Sequence, residues 1–180
     1  LSKLIGGSSF TIPVMVASNG IGIKIRALVD TGADGYLFID RKASRRIAEK
    51  LQLKRQATER KIPVTNFEGK EGRAIDTALA ADLWTDGNVE RKAPLLEIEL
   101  GHGHEAILGR MWMERHEILI DVRHRRLVWP PDRKRDDAIE RVIAVPYGTL
   151  FPRPPNPKHQ ADAERRDRAL DLQAERQEAQ

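Results

Sequence analysis

The stretch ALVDTGADGYLFID, residues 27–40, decides the fold. Apolar residues alternate from Ile23 to Val29, which predicts a buried strand. Asp30-Thr31-Gly32 interrupts this alternation, and Tyr36 to Ile39 resumes it. An ionised carboxylate is costly to bury unless it is paired or hydrogen-bonded. Asp30 therefore either caps a turn or is held in place for chemistry.

The composition narrows the class of protein. The chain has 180 residues, of which 40% are hydrophobic and 32% charged, so part of it must be solvated. It contains no cysteine, which excludes disulfides and cysteine nucleophiles. No apolar run approaches the roughly 18 residues that a membrane span needs, and the start, LSKLIGG, lacks the apolar region of a signal peptide. We therefore expect a soluble, cytoplasmic protein.

The charge pattern does not predict nucleic acid as a direct ligand. The formal net charge is +4, from 31 basic and 27 acidic residues. Basic clusters occur at Arg123–Arg126 and Arg133–Arg135, but aromatic residues make up only 5% of the chain and form no stacking platform. These clusters are typical of a solvated surface.

Short strand signals fill the first 130 residues and predict an all-β fold. Ser18-Asn19-Gly20 provides the turn of a hairpin between Thr11–Ala17 and Ile21–Val29. Asp40 can cap a short helix in which Ala43, Ile47 and Leu51 recur every four residues. Further strands are expected at Lys61–Phe67, Arg73–Leu83, Leu96–Leu100 and Ile118–Val122, and a second helix at Arg110–Glu117. Ala106–Gly109 is a short apolar run, and Arg126–Trp129 closes this part of the chain.

The character of the sequence changes at Pro130. We expect an extension at residues 1–9, a folded domain at 10–130, a proline-rich charged linker at 131–160 and a charged helical or disordered tail at 161–180. Val142 to Val145 could add an edge strand or dock on a partner. Trp112, Leu119, Leu127 and Trp129 are predicted to be core residues.

Two motifs together carry a family resemblance. Asp30-Thr31-Gly32 follows an apolar strand, and Ile107-Leu108-Gly109 comes about 75 residues later, after a helix and a glycine-tipped hairpin. This pair resembles retropepsins, the retroviral-type aspartic proteases. DTGADGYLFID and HEAILGRMWMERHEILIDVRHRRLVWP, residues 104–130, are similar to the protease segment of Gypsy-class LTR retrotransposon polyproteins. The resemblance covers about residues 10–130.

The resemblance implies a fold and a function. The fold would be the closed, single-lobe barrel of acid proteases with one or two short helices. The function would be that of an aspartic endopeptidase that cleaves a polyprotein, in the cytoplasm or in virus-like particles, with no cofactor and no metal. Two alternatives stay open: a non-catalytic retropepsin-fold module for dimerisation or peptide binding, and a cellular retropepsin-like protease recruited for a host substrate.

Carboxylate catalysis of peptide hydrolysis needs two acids that share a proton. The chain has one Asp-Thr-Gly, because Asp76-Thr77-Ala78 lacks the glycine. The second acid must therefore come from another copy, and a two-fold homodimer would place Asp30 beside its symmetry mate. The expected partners are thus a second copy of the chain and a polypeptide substrate.

The residues beside Asp30 acquire roles from the resemblance. Thr31 would tie the two loops of the dimer together, and Gly32 would let the backbone approach the substrate. Ala33 stands where some aspartic proteases carry Ser, whose hydroxyl lowers the carboxyl pKa, so activity is expected in milder acid. Asp34 and Arg110 would form a structural ion pair near the dimer interface.

The substrate-binding parts are predicted from the same resemblance. Phe67 to Arg73 matches the flap, a hairpin that closes over the bound peptide. Phe67 stands where related flaps often have Tyr, and Gly69 and Gly72 would give the tip its mobility. Ile107 would line a substrate pocket, and Gly109 would let the following helix pack tightly. The substrate-binding residues are thus predicted to be Ala33, Asp34, Phe67, Gly69, Gly72 and Ile107. His102 and His104 lack a third ligand, so no metal site is predicted.

Overall fold

A computed structural model of the chain describes residues 8–65, 69–100, 103–131 and 142–151. The chain divides into two compact units, Leu1–Leu150 and Phe151–Gln180. Apart from Phe151, the described residues belong to the first unit. The tail at 161–180 and residues 132–141 and 152–160 of the linker lie outside the described residues.

The described residues form ten strands and three helices. The strands are β1 (Thr11–Ser18), β2 (Ile21–Val29), β3 (Leu37–Asp40), β4 (Arg55–Ile62), β5 (Ile75–Thr85), β6 (Asn88–Ile98), β7 (Ala106–Leu108), β8 (Leu119–Asp121), β9 (Arg126–Val128) and β10 (Ile143–Pro146). The helices are α1 (Arg41–Leu51), α2 (Arg110–Arg115) and α3 (Tyr147–Leu150). None of these helices is long and apolar enough to cross a membrane.

Six of the strands close into a barrel. Neighbouring strands pair in the order β1-β2-β7-β3-β6-β5, and β5 pairs back to β1, with Val16 opposite Leu83. Strand β4 extends the sheet from β5, and β8 and β9 form a separate two-stranded sheet. The predicted fold class, an all-β closed barrel with short helices, is confirmed.

The first hairpin and α1 form where the sequence predicts them. Asn19 and Gly20 adopt φ angles of 51° and 76°, which suits a two-residue turn between paired strands. Asp40 accepts hydrogen bonds from the amides of Lys42 and Ala43 at 3.0 and 3.1 Å, and so caps α1. The helix buries Ala43, Ile47 and Leu51, the residues whose spacing predicted it.

Two strands differ from the prediction. Strand β4 begins at Arg55 rather than at Lys61, and β6 begins at Asn88 rather than near Leu96. The side chains of strand β4 are mostly polar because the strand pairs only with β5 and lies outside the barrel. The start of β6 carries Glu90, Arg91 and Lys92 and so has no apolar alternation; its position follows from direct pairing of Asn88 with Thr85.

The second helix is shorter than predicted, and one predicted core residue is on the surface. Helix α2 ends at Arg115 rather than at Glu117, which has a φ angle of 52°. Trp112 and Leu127 are buried and Trp129 is half-buried, but Leu119 is 71% exposed. The prediction for Leu119 was wrong because Leu119 lies opposite the exposed Val128, on the face of the β8–β9 sheet that does not bury Leu127.

Strand β10 joins the barrel through β2. It runs parallel to β2, with Ile143 opposite Ile21 and Val145 opposite Ile23. Val142 packs against the buried cluster of Met15, Ala17 and Trp84. The first compact unit consequently reaches Leu150, beyond residue 130.

Candidate active site

Asp30 lies at the carboxyl end of β2, beside β7. Its amide donates to the Leu108 carbonyl at 3.1 Å. Strand β7 lies between two strands, because Leu108 pairs with Val29 of β2 in parallel and with Leu37 of β3 in antiparallel orientation. The two motifs recognised in the sequence therefore meet at one point of the barrel.

The Asp30 carboxylate is half-buried and partly bonded. Its Oδ1 accepts the Gly32 amide at 2.9 Å, which closes a turn. A Cβ atom on Gly32 would lie 3.2 Å from the same oxygen, closer than most real contacts. Among the residues that the structure describes, no hydrogen bond reaches Asp30 Oδ2. Asp30 thus caps a turn with Oδ1, and its Oδ2 accepts no hydrogen bond from the described residues.

Thr31 and Gly32 are exposed, and Ala33 is half-buried. The Asp-Thr-Gly loop therefore lies at the surface of the chain, with its polar atoms accessible. A catalytic acid in a complete site is ordinarily enclosed, since exclusion of water strengthens its interactions. The Asp-Thr-Gly loop is not enclosed in this way by the described residues of the chain.

The N-terminus of α2 locks the loop that follows Asp30. The Gly109 amide donates to the Tyr36 carbonyl at 2.9 Å, the Arg110 amide to the Ala33 carbonyl at 3.0 Å, and the Met111 amide to the Gly35 carbonyl at 3.1 Å. The first amides of a helix lack partners within the helix, so the loop satisfies them. This exchange fixes the loop relative to α2.

The structure brings Asp34 and Arg110 together. Arg110 Nη2 and Nε lie 2.8 and 3.2 Å from Asp34 Oδ1, and Arg110 Nη1 lies 2.6 Å from a carboxylate oxygen of Glu114. Hydrogen bonds to Asp34 and then to Glu114 raise the pKa of Arg110. The pair is exposed, 81% for the Asp34 side chain and 46% for that of Arg110, so it contributes little to the stability of a single chain.

The segment between β4 and β5, residues 63–74, includes the residues predicted to form the flap. Beyond the strands, the Gly72 amide donates to the Val64 carbonyl at 2.7 Å, and Thr65 pairs with Glu71. Gly69 has a φ angle of 75°, which glycine adopts readily, whereas Gly72 is not in the left-handed region. Phe67 lies outside the described residues.

Ile107 is half-buried in β7, paired with Leu28 and Phe38. Its predicted place in a substrate pocket stays a prediction. His102 lies outside the described residues. Among the described residues no group of three potential metal ligands occurs.

Sequence reasoning missed two hydrogen-bonded carboxylates of β6, the half-buried Glu90 and the buried Glu97. Glu90 accepts hydrogen bonds from Tyr36, Trp112 and His116. Glu97 is fully buried and accepts from Ser44 at 2.7 Å and from Arg55 at 2.5 and 2.6 Å. Burial raises the pKa of Glu97, but the bonds from Arg55 and Ser44 outweigh it and hold the pKa below its usual range. The only local signal was Glu97 within the apolar stretch Leu95–Ile98, because Glu90 lies beside the charged residues Arg91 and Lys92.

Comparison with known proteins found similar solved structures. No protein-family model matches the sequence, and no curated protein does. Twenty-one chains of solved structures are similar to it. One is the retroviral protease-like domain of Ddi1 from Leishmania major, with 16% identity, a TM-score of 0.48, and coverage of 70% of this chain and 91% of that one.

Proposed function

We propose that this chain is an aspartic endopeptidase of the retropepsin type that acts as a homodimer. The observation that carries the proposal is the position of Asp30. It lies on a surface loop that α2 locks in place, half-buried, with one carboxylate oxygen unengaged among the described residues. A single such acid per chain calls for a second copy.

The chemistry follows from a pair of acids that share one proton. Two carboxyl groups about 3 Å apart cannot both ionise, so one is a carboxylate and the other an acid. The carboxylate of one Asp30 takes a proton from water, and the resulting hydroxide attacks the peptide carbonyl carbon. The acid of the other Asp30 protonates the carbonyl oxygen. The first Asp30 then gives the proton it took from water to the leaving nitrogen, and the second takes back the proton of the former carbonyl oxygen. The C–N bond breaks, acid and amine products leave, and the shared proton is restored.

The substrate would be an extended polypeptide covered by the β4–β5 hairpin, with Gly69 at its tip. The finer assignment, a protease of a Gypsy-class retrotransposon polyprotein in the cytoplasm or in virus-like particles, is supported by the motifs of residues 30–40 and 104–130. A cellular retropepsin-like protease has the same chemistry. The two differ in substrate, so cleavage-site mapping on candidate polyproteins separates them.

The test is cleavage of a mixed peptide library near pH 5–6 by the wild type and by Asp30→Asn. Asn keeps the shape of Asp but cannot ionise, so we expect complete loss of cleavage with the dimer retained. Asp76→Asn is the matched control, because Asp76 also precedes a Thr but lies in β5 beside Arg41, at 3.5 Å. It should cleave like the wild type.

Inhibition of the wild type by a pepstatin-like compound would support the same mechanism. If the wild type and Asp30→Asn both form dimers and neither cleaves any peptide, the chain is a non-catalytic module and the proposal is wrong. Sedimentation velocity on both proteins supplies the dimer measurement.

A further inference from the structure

A half-buried carboxylate, Glu90, bonds the loop that carries Asp30. The Glu90 side chain is 15% exposed and accepts hydrogen bonds from three different side chains. The donors are the Tyr36 hydroxyl at 2.6 Å, the Trp112 indole nitrogen at 2.9 Å and His116 Nε2 at 3.0 Å. A carboxylate that receives this many bonds is held firmly in its ionised form.

The three donors come from the two elements that build the site. Tyr36 ends the loop that begins at Asp30, and its carbonyl accepts the Gly109 amide. Trp112 and His116 lie in and just after α2, the helix whose first amides bond that loop. Glu90, which lies in β6, therefore connects loop and helix through their side chains where the backbone already connects them.

Aromatic rings enclose this arrangement. The Trp112 ring meets the His116 ring edge-on at 4.9 Å and the Trp129 ring at 5.7 Å. Such contacts keep water away and strengthen the hydrogen bonds inside. The titratable groups nearby include His116 and Arg115, whose guanidinium lies 5.8 Å from the centre of the Tyr36 ring. Arg91, next to Glu90 in β6, pairs with Asp82.

We propose that Glu90 is a positioning residue for the Asp30 loop, acting through Tyr36 and Trp112 without touching the substrate. The expected effect on kcat rests on the proposed peptidase function. The expected effect on the structure of the loop does not. Burial raises the pKa of Glu90, yet the bonds from His116, Tyr36 and Trp112 outweigh it and hold the pKa below its usual range. The carboxylate therefore remains ionised in the mildly acidic range where the dyad would work.

The first experiment compares Glu90→Gln with Glu97→Gln. Both residues are hydrogen-bonded carboxylates of β6, with side chains 15% and 0% exposed. Glu97, however, accepts its hydrogen bonds from Ser44 and Arg55 and none from the Asp30 loop. Gln has one acceptor where Glu has two, so it cannot serve all three donors. We expect Glu90→Gln to lower kcat about tenfold with KM unchanged, since a small misplacement of the catalytic group slows the reaction. Glu97→Gln should lower the melting temperature and leave kcat unchanged at assay temperatures well below the melting temperature.

Hydrogen exchange provides a readout that does not need activity. The amides of Gly109 and Met111 bond the loop, whereas the Leu53 amide bonds Ala48 at the end of α1. In Glu90→Gln the first two should exchange at least several-fold faster while Leu53 keeps its rate. If the variant folds poorly, Tyr36→Phe removes one donor only and should show the same local change to a smaller extent.

The outcomes separate the two proposals. A wild type that cleaves, with kcat and the Gly109 and Met111 exchange rates unchanged in Glu90→Gln, overturns the role of Glu90 and leaves the peptidase standing. A wild type that cleaves no peptide overturns the peptidase, and the exchange rates alone then decide whether Glu90 positions the loop.

Discussion

Gly109 shows how one residue sets the geometry of the candidate site. A Cβ atom there would lie 2.3 Å from the Gly35 carbonyl oxygen, a backbone atom that cannot rotate away. We expect Gly109→Ala to destabilise the fold by about 1–3 kcal/mol, as overpacking does, and to abolish cleavage by displacing the loop. Chemical denaturation and peptide cleavage measure the two effects.

Gly148 provides the control for this substitution. Nothing lies within 4 Å of a Cβ atom built on it, and it lies in α3. Gly148→Ala should keep the stability or raise it slightly, because Ala favours helix over Gly. Equal losses of stability in the two variants would show that close packing at Gly109 does not cause the destabilisation.

Local sequence was sufficient to predict some residues of the site and insufficient to predict others. Asp30 and Gly109 lie in short motifs whose residues bond near neighbours or directly adjoining strands. Glu90 has no such motif, since its partners are 54, 22 and 26 residues away. A lone Glu in a partly apolar strand does not reveal donors that only folding brings to it.

At the scale of elements, the predicted flap between β4 and β5 contains two glycines to which the sequence analysis gave the same role. Gly69 has a φ angle of 75°, whereas Gly72 is outside the left-handed region, and a Cβ atom on Gly72 would lie 3.6 Å from the Val64 carbonyl oxygen, an ordinary contact. Gly69→Ala should therefore cost about 1 kcal/mol of strain at the tip and lower kcat/KM.

Gly72→Ala is the matched variant and should cleave peptides nearly as well as the wild type. Steady-state kinetics on one peptide compares the two variants directly. If Gly72→Ala were the more damaging change, mobility at the tip would not depend on the left-handed conformation of Gly69.

The β8–β9 hairpin contains an acid whose titration affects stability. Asp121 accepts hydrogen bonds from the amide and ring of His124 and from Arg126, at 3.0, 2.8 and 3.0 Å. These bonds lower the pKa of Asp121 to about 2. Since the unfolded pKa is about 3.9, the stabilisation is complete above that value and is lost as the pH falls through the folded pKa.

The variant Asp121→Asn tests this dependence. The difference in melting temperature between wild type and variant should be constant above about pH 4–5 and shrink as the pH falls toward 2 and below, because Asp121 then becomes protonated in the folded state as well. Thermal unfolding followed by circular dichroism across pH 2–6 measures it. A difference that is independent of pH would mean that the charge of Asp121 contributes nothing.

Elements with local signals were predicted well, and those without were not. The β1–β2 turn and the α1 cap depend on backbone angles and hydrogen bonds within three residues. Strand β4 and the start of β6 depend on pairing with β5, and their polar side chains gave no periodic pattern. Helix α3 likewise escaped prediction, because four residues are too few for a helical pattern.

At the scale of the whole molecule, the proposed active site needs two chains. Equal amounts of wild type and Asp30→Asn, allowed to exchange subunits, should give about one quarter of the activity of the same total concentration of wild type, because only wild-type pairs have two acids. A site complete within one chain would leave about one half. The mixture with Asp76→Asn, which keeps Asp30, is the control and should lose no activity.

The sequence by itself determined the local parts of this protein: the first hairpin, the capped helix, the Asp-Thr-Gly loop and the fact that each chain has one such motif. Only the tertiary structure decided the closure of the barrel between β1 and β5, the placement of β7 between β2 and β3, and the three bonds of Glu90. Turns and caps follow from dihedral preferences and hydrogen bonds among neighbouring residues. Strand order and buried polar contacts join residues distant in the chain, so they depend on which surfaces pack together.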